Sequence, residues 1–219
     1  MARTENLHTT KMLAHALGMN YAWGLEFVEL TNGNYDETKA TEGKSNKFGL
    51  HGNAILTKCP MKNPKLIRDG NIGDYFSSGS TQKNAFGAEK RLGGRMSMFV
   101  DIITKLNKQV TLGATHTLEP KMQGEVKTYL SDTLIKGNVV IAGDQFWEYC
   151  NNVGLVHVDS KAIASSPASC DSLGVGRGDI LCSSMAIKIP FHGDYPCTHN
   201  GPRITMSDHS FQSVTLTVK

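Results

Sequence analysis

Five acidic and imidazole side chains fall at the ends of apolar runs: His116, Asp144, Asp179 and the adjacent pair Asp208-His209. An adjacent acid and imidazole can divide the labour of phosphoester cleavage. The carboxylate of Asp208 would bind a divalent metal or its waters, while the imidazole of His209 faces the scissile group. Asp179 could orient His209 by accepting its ring N–H, and His116 could neutralise or hydrogen-bond a phosphate oxygen. Gly143-Asp144 terminates the most apolar run of the chain, which would hold its carboxylate on a rigid backbone. Taken singly, each has a bland structural reading: Asp144 as a helix cap, Ser207-Asp208-His209 as a turn, His116 as a packed histidine. Taken in order, they suggest metal-assisted hydrolysis.

The elements that must position them alternate short strands with a few helices. Residues 9–18 (TTKMLAHALG) carry Met12, Leu13, Ala16 and Leu17 at helical spacing, with Gly18 as the stop. Residues 21–30 (YAWGLEFVEL) are aromatic and β-branched, hence a strand, whereas 31–47 and 63–88 are polar and glycine-bearing, hence loops. Strands are expected over 53–57, 95–103 and 109–115, the last two joined as a hairpin through Asn107. A helix over 119–136 presents Met122, Val126, Tyr129, Leu130 and Leu134 on one side, and the strand 138–142 (NVVIA) follows it. A short helix is expected within 146–151, and strands over 179–182, 186–189 and 214–218 complete an α+β pattern.

Composition narrows the alternatives. A chain of 219 residues can bury a core as one large domain, and 23 basic against 20 acidic side chains do not announce a nucleic-acid binder. No apolar run approaches the roughly 20 residues of a membrane helix, so a soluble, intracellular, cytoplasmic protein is expected. Five cysteines, an odd number without CxxC spacing, are expected as free thiols, and Cys197 with His199 lacks a second metal half-site. The sequence contains no GxSxG, GxxxxGK[ST] or HExxH motif, which removes the nucleophile elbow, the phosphate loop and the zinc protease.

Six segments appear in one order: GLHGNAILT at 49–57, RLGGRMSMFVDI at 91–102, THTLEP at 115–120, AGDQF at 142–146, RGDIL at 177–181 and SDH at 207–209. Together they resemble the endonuclease/exonuclease/phosphatase superfamily, which includes DNase I-like nucleases, inositol polyphosphate phosphatases and neutral sphingomyelinases. The resemblance implies a four-layer α/β sandwich spanning 1–219, with two mixed β-sheets packed face to face and helices outside. It implies Mg²⁺- or Mn²⁺-dependent phosphoester hydrolysis by an activated water, the substrate being a nucleic acid, an inositol phosphate or a phospholipid head group. In that frame Asp144 and Asp208 hold the metal, Asp144 also positioning the water. His209, oriented by Asp179, is the base or a phosphate contact, and His116 binds phosphate. Arg95 and Asn53 line the substrate side.

Two departures stand out. The early strand ending in a metal-binding Leu-Gln-Glu has no counterpart, as in a chain shortened at its N-terminus, and the usual Gly-Asp-x-Asn reads Gly143-Asp144-Gln145-Phe146. Glu26 and Glu29 do not match the family spacing and are expected as exposed strand residues. The alternative implied is a weak or inactive relative serving as a binding module.

Overall fold

The computed structural model describes residues 1–33, 35–68, 73–74, 83–84, 87–88, 91–116, 120–134, 137–144, 149–157, 179–191 and 213–218. They fall in two compact units, Met1–Val100 and Asp101–Lys219.

The first unit opens with a 3₁₀ turn, Ala2–Thr4, and helix α1, Thr9–Leu17. His8 caps α1 by accepting the Lys11 N–H on Nδ1 at 3.2 Å, and Gly18, left-handed at φ 60°, ends it as expected. Only Ala14 of this helix is buried; Met12, Leu13 and Leu17 are exposed. Strand β1, Asn20–Glu29, pairs antiparallel with β2, Leu50–Thr57. Residues 31–47, expected as a loop, hold helix α2, Tyr35–Ala40. The segment is also pinned to the N-terminus. Asn46 accepts the Ala2 N–H at 2.6 Å and donates to the Thr31 carbonyl, while Asn6 accepts the Lys47 N–H at 2.8 Å.

The expected loop 63–88 is likewise partly strand: β3 is Met61–Arg68, β4 Gly73–Asp74, β5 Lys83–Asn84 and β6 Gly87–Ala88. Apolar content misled here, because β3 is exposed along most of its length and only Ile67 is buried. Strand β7, Arg91–Gly93, pairs with β1 and with β4, giving the sheet order β2-β1-β7-β4; β5 and β6 form a separate two-stranded ladder. Among the described residues every pairing in the four-stranded sheet is antiparallel. Strand β8, Met96–Ile103, lies beside β3 and is buried from Met96 through Ile102. The division between the units passes through β8 after Val100.

The second unit begins with the end of β8, whose Asp101 accepts the hydroxyl of Thr111 at 2.6 Å in a buried pair. The turn to β9, Gln109–His116, uses Asn107 at φ 57°, closed by Thr104 N–H to the Lys108 carbonyl at 2.9 Å. Helix α3, Pro120–Leu134, connects β9 to β10, Asn138–Asp144, as one βαβ unit, so the two strands run parallel. Met122, Val126 and Leu130, spaced by four, form the buried stripe of α3, and Val139 and Ile141 are the fully buried residues of β10. Helix α4, Tyr149–Asn152, and β11, Val156–His157, precede β12, Asp179–Ser183, which pairs antiparallel with both β10 and β11. This mixed sheet runs β11-β12-β10-β9, with β8 next in order. Strands β13, Ala186–Phe191, and β14, Ser213–Thr217, form an antiparallel ladder.

Cys150 of α4 and Cys182 of β12 form a fully buried disulfide. The expectation of free thiols is therefore wrong for this pair. Sequence spacing gave no hint, because the partners lie 32 residues apart and meet only when α4 packs on β12. Cys59 is a free thiol, while Cys170 and Cys197 lie outside the described residues.

Candidate functional site

Backbone register in the second unit gathers three of the expected catalytic positions. Thr115 of β9 and Gly143 of β10 are partners in the parallel ladder, so His116 and Asp144, one residue further on, end adjacent strands side by side. Asp144 is in turn the register partner of Asp179, which opens β12. One end of the mixed sheet thus carries an imidazole and two carboxylates on neighbouring strands, with His116 half-buried. Asp208 and His209 lie outside the described residues.

Several fixtures hold that sheet end. The Thr115 hydroxyl donates to the Tyr149 hydroxyl at 3.3 Å, tying β9 to α4, and the Cys150–Cys182 disulfide ties α4 to β12. Gly143 lets β10 lie close against β9: a Cβ there would approach the Thr115 carbonyl carbon to 2.8 Å and its Cγ2 to 3.0 Å. The residue before Asp144 must therefore be small. Carboxylates are the hard oxygen donors that Mg²⁺ takes, so positions 144 and 179 suit such an ion in kind. Among the described residues no group of three or more His, Cys, Asp or Glu side chains comes together as a metal site.

The expected substrate residues Asn53 and Arg95 belong to the first unit, where the structure reveals a charged cluster that sequence reasoning missed. The register of β1 on β2 slips between Leu25, opposite Gly52, and Phe27, opposite His51, leaving Glu26 as the extra residue of a β-bulge. Glu26 is completely buried. Its carboxylate lies 3.6 Å from Arg95 Nη1 and 3.6 Å from His51 Nδ1, ion-pair distances longer than a hydrogen bond. Glu29, also buried, takes Arg91 Nε at 2.5 Å. The guanidinium carbons of Arg91 and Arg95 lie 5.3 and 5.6 Å from the centre of the Phe27 ring, and His51 stacks on the same ring at 6.0 Å.

Glu26 and Glu29 are thus buried and paired with cations, which corrects their assignment as exposed strand residues. Burial of both is tolerable because each faces a guanidinium; an isolated carboxylate there would be costly. Backbone geometry explains why Arg95 arrives at the bulge. Gly94 N–H donates to the Glu26 carbonyl at 3.2 Å, and Gly93, at φ 122°, has room for no Cβ between itself and the Glu26–Phe27 backbone. The pair Gly93-Gly94 therefore delivers Arg95 beside Glu26. Asn53, two residues from His51 on β2, lies on the same face of that strand, and its buried Nδ2 has no hydrogen-bond partner among the described residues. The missed signal was two acids in an otherwise aromatic, β-branched strand, matched by two arginines around a Gly-Gly pair at 91–95.

No protein-family model matches the sequence, and no curated protein does either. Solved structures do match. An endonuclease/exonuclease/phosphatase from Beutenbergia cavernae superposes with a TM-score of 0.55 at 15% identity, over 96% of this chain and 56% of that one. Structures described in the same words from Bacteroides vulgatus (TM-score 0.46, 10% identity, 97% of this chain and 82% of that one) and Bacteroides thetaiotaomicron (0.41, 12%, 84% and 66%) are more distant. The chain spans little more than half the length of the Beutenbergia structure. The likeness is one of fold, and it agrees with an α/β chain of one antiparallel and one mixed sheet with few helices. This chain has the DNase I-like fold of the endonuclease/exonuclease/phosphatase structures.

Proposed function

We propose that the protein is a metal-dependent phosphoester hydrolase that cleaves its substrate with an activated water. The observation that carries this reading is the register that puts His116, Asp144 and Asp179 on three neighbouring strand ends of one sheet. A rigid sheet end is where hydrolytic side chains can be held within the tolerance that chemistry requires. Asp144 and Asp208 would hold a Mg²⁺ or Mn²⁺ ion, which would polarise the phosphoryl group and lower the pKa of bound water. Asp144 would also position the attacking water. Asp179 would fix the ring of His209, and His116 would donate to a phosphoryl oxygen as charge accumulates there. Asn53 and Arg95 would contact the substrate, a nucleic acid, an inositol phosphate or a phospholipid head group.

The test is turnover of DNA, inositol phosphates and phospholipid head-group esters by the purified chain, with and without chelator. Metal-dependent release is expected, reduced about 10²–10³-fold in His116→Ala if the histidine stabilises developing charge. Turnover indifferent to chelation and to Asp144→Asn would refute the reading. Absence of any turnover would leave the binding-module alternative.

A further inference from the structure

We infer that Glu26 is a positioning residue, whose buried carboxylate holds the donor groups of Arg95 and His51 side by side as a subsite for a phosphoryl group of the ligand. This deepens the phosphoester reading and rests on it for the identity of the ligand. Four observations within the first unit converge on it.

The first is the bulge. An uninterrupted β1 would put Glu26 and Phe27 on opposite faces, whereas the extra residue lets both meet His51. Second, exposure is graded: the Glu26 side chain is 0% exposed, Arg95 13% and His51 27%. The carboxylate is the most buried of the three, so an incoming anion meets Arg95 and His51 before it meets Glu26. Third, the same carboxylate is 3.6 Å from each base, so one group fixes the spacing of both. A guanidinium has five donors in a rigid fork, which allows one edge to face Glu26 and another to face a ligand; turning His51 Nδ1 to Glu26 points Nε2 away from it. Fourth, Phe27 supplies an apolar floor under Arg91, Arg95 and His51, limiting their rotamers. Arg91 lies against the other buried carboxylate, its Nε 2.5 Å from Glu29.

A purely electrostatic role for Glu26 predicts the opposite of a positioning role. Removing a carboxylate beside the Arg95 guanidinium raises the local positive potential and should tighten anion binding. Removing a group that orders them should weaken it, because the ligand must then fix both side chains itself. The isosteric Glu26→Gln keeps shape and discards charge, so it separates the two.

Inorganic phosphate binding to the full chain would be followed by ³¹P NMR titration, together with kcat and KM on whichever phosphoester the chain turns over. The expectation is phosphate binding by the wild type and roughly tenfold or greater loss of affinity in Glu26→Gln. KM should rise by a similar factor while kcat changes by less than about threefold, the signature of lost ground-state binding. Arg95→Lys, which keeps charge but loses the fork, and His51→Gln should each weaken phosphate as well. These two also decide the question if Glu26→Gln does not fold. Unchanged or tighter phosphate binding in Glu26→Gln, unchanged binding in both Arg95→Lys and His51→Gln, or no phosphate binding by the wild type would each overturn the subsite. A chain that binds phosphate through these residues but turns nothing over would overturn the hydrolase reading and leave the subsite standing.

Discussion

Gly143→Ala should damage stability and chemistry together, because the glycine lies at the closest approach of β10 to β9, immediately before Asp144. A Cβ at 143 would sit 2.8 Å from the Thr115 carbonyl carbon and 3.0 Å from its Cγ2. Carbon contacts are comfortable at about 3.5–4.0 Å, so relief needs a displacement on the order of 1 Å. The obstructing atoms are mostly backbone, so no rotamer change absorbs it. Parting the strands weakens about two ladder hydrogen bonds at about 0.5–1.5 kcal/mol each. Overpacking adds about 1–3 kcal/mol. The sum, about 2–6 kcal/mol, corresponds to a melting point lower by roughly 4–24 °C at ~2–4 °C per kcal/mol for a chain of this size. A shift of ~1 Å at His116 and Asp144 should also cost on the order of 10²-fold in turnover. The control is Gly124→Ala in α3, where an added Cβ meets nothing within 4 Å. That change should stabilise the helix by about 0.5–1 kcal/mol. Thermal melts followed by circular dichroism, with turnover on the same samples, decide it. Wild-type melting and turnover in Gly143→Ala would show that the strands are not held as closely as the register requires.

Two further outcomes follow from the second unit. Cross-linking residues 32 apart removes denatured-state entropy worth about 3–4 kcal/mol on the chain-entropy account, so replacing Cys150 and Cys182 together by Ala should lower the melting point by roughly 6–16 °C. Non-reducing peptide mapping that finds no Cys150–Cys182 linkage would dispose of this. The Tyr129 phenol is pushed above its ordinary value of 10.0, first by burial and then by the charge of Asp101, with a hydrogen bond to Thr133 pulling weakly the other way. A raised folded-state value stabilises below pH ~10 and is lost as pH rises through it, because the unfolded chain ionises first. Denaturant titrations across pH 9–11 should thus show wild type losing stability more steeply than Tyr129→Phe; equal slopes would mean the phenol titrates alike in both states.

The periodicities that a chain must obey to bury its core were readable. α1 stops at Gly18, α3 carries Met122, Val126 and Leu130 at intervals of four, and the β8–β9 turn uses Asn107 in the left-handed region. Each of these is a local property of neighbouring residues. The positions of His116, Asp144 and Asp179 were legible for the same reason: an acid or imidazole that ends an apolar run sits at a strand end whatever the topology. Strand β3 was not, since an exposed strand such as MKNPKLIR has no buried face to impose alternation. Nor was the disulfide, whose spacing exists only in three dimensions.

Glu26 marks the boundary between these two kinds of information. By alternation along β1 an acid beside Phe27 should point to the opposite face, and an acid in a strand is by default a solvated one. Both inferences fail because of a single extra residue in the ladder, and nothing in YAWGLEFVEL by itself demands a bulge. What demands it lies nearly 70 residues later, where Gly93-Gly94 allows the backbone to come close enough for Gly94 N–H to reach the Glu26 carbonyl and bring Arg95 to its carboxylate. The bulge, the glycine pair and the arginine are therefore one feature written in two places. A buried acid would be expensive without the guanidinium, and the guanidinium could not arrive without the glycines. Such mutual dependence is hard to account for by core packing alone, since an apolar residue at 26 would fill the same space without needing a partner. It is readily accounted for if the basic side chains that Glu26 orders are themselves wanted at the surface of the sheet.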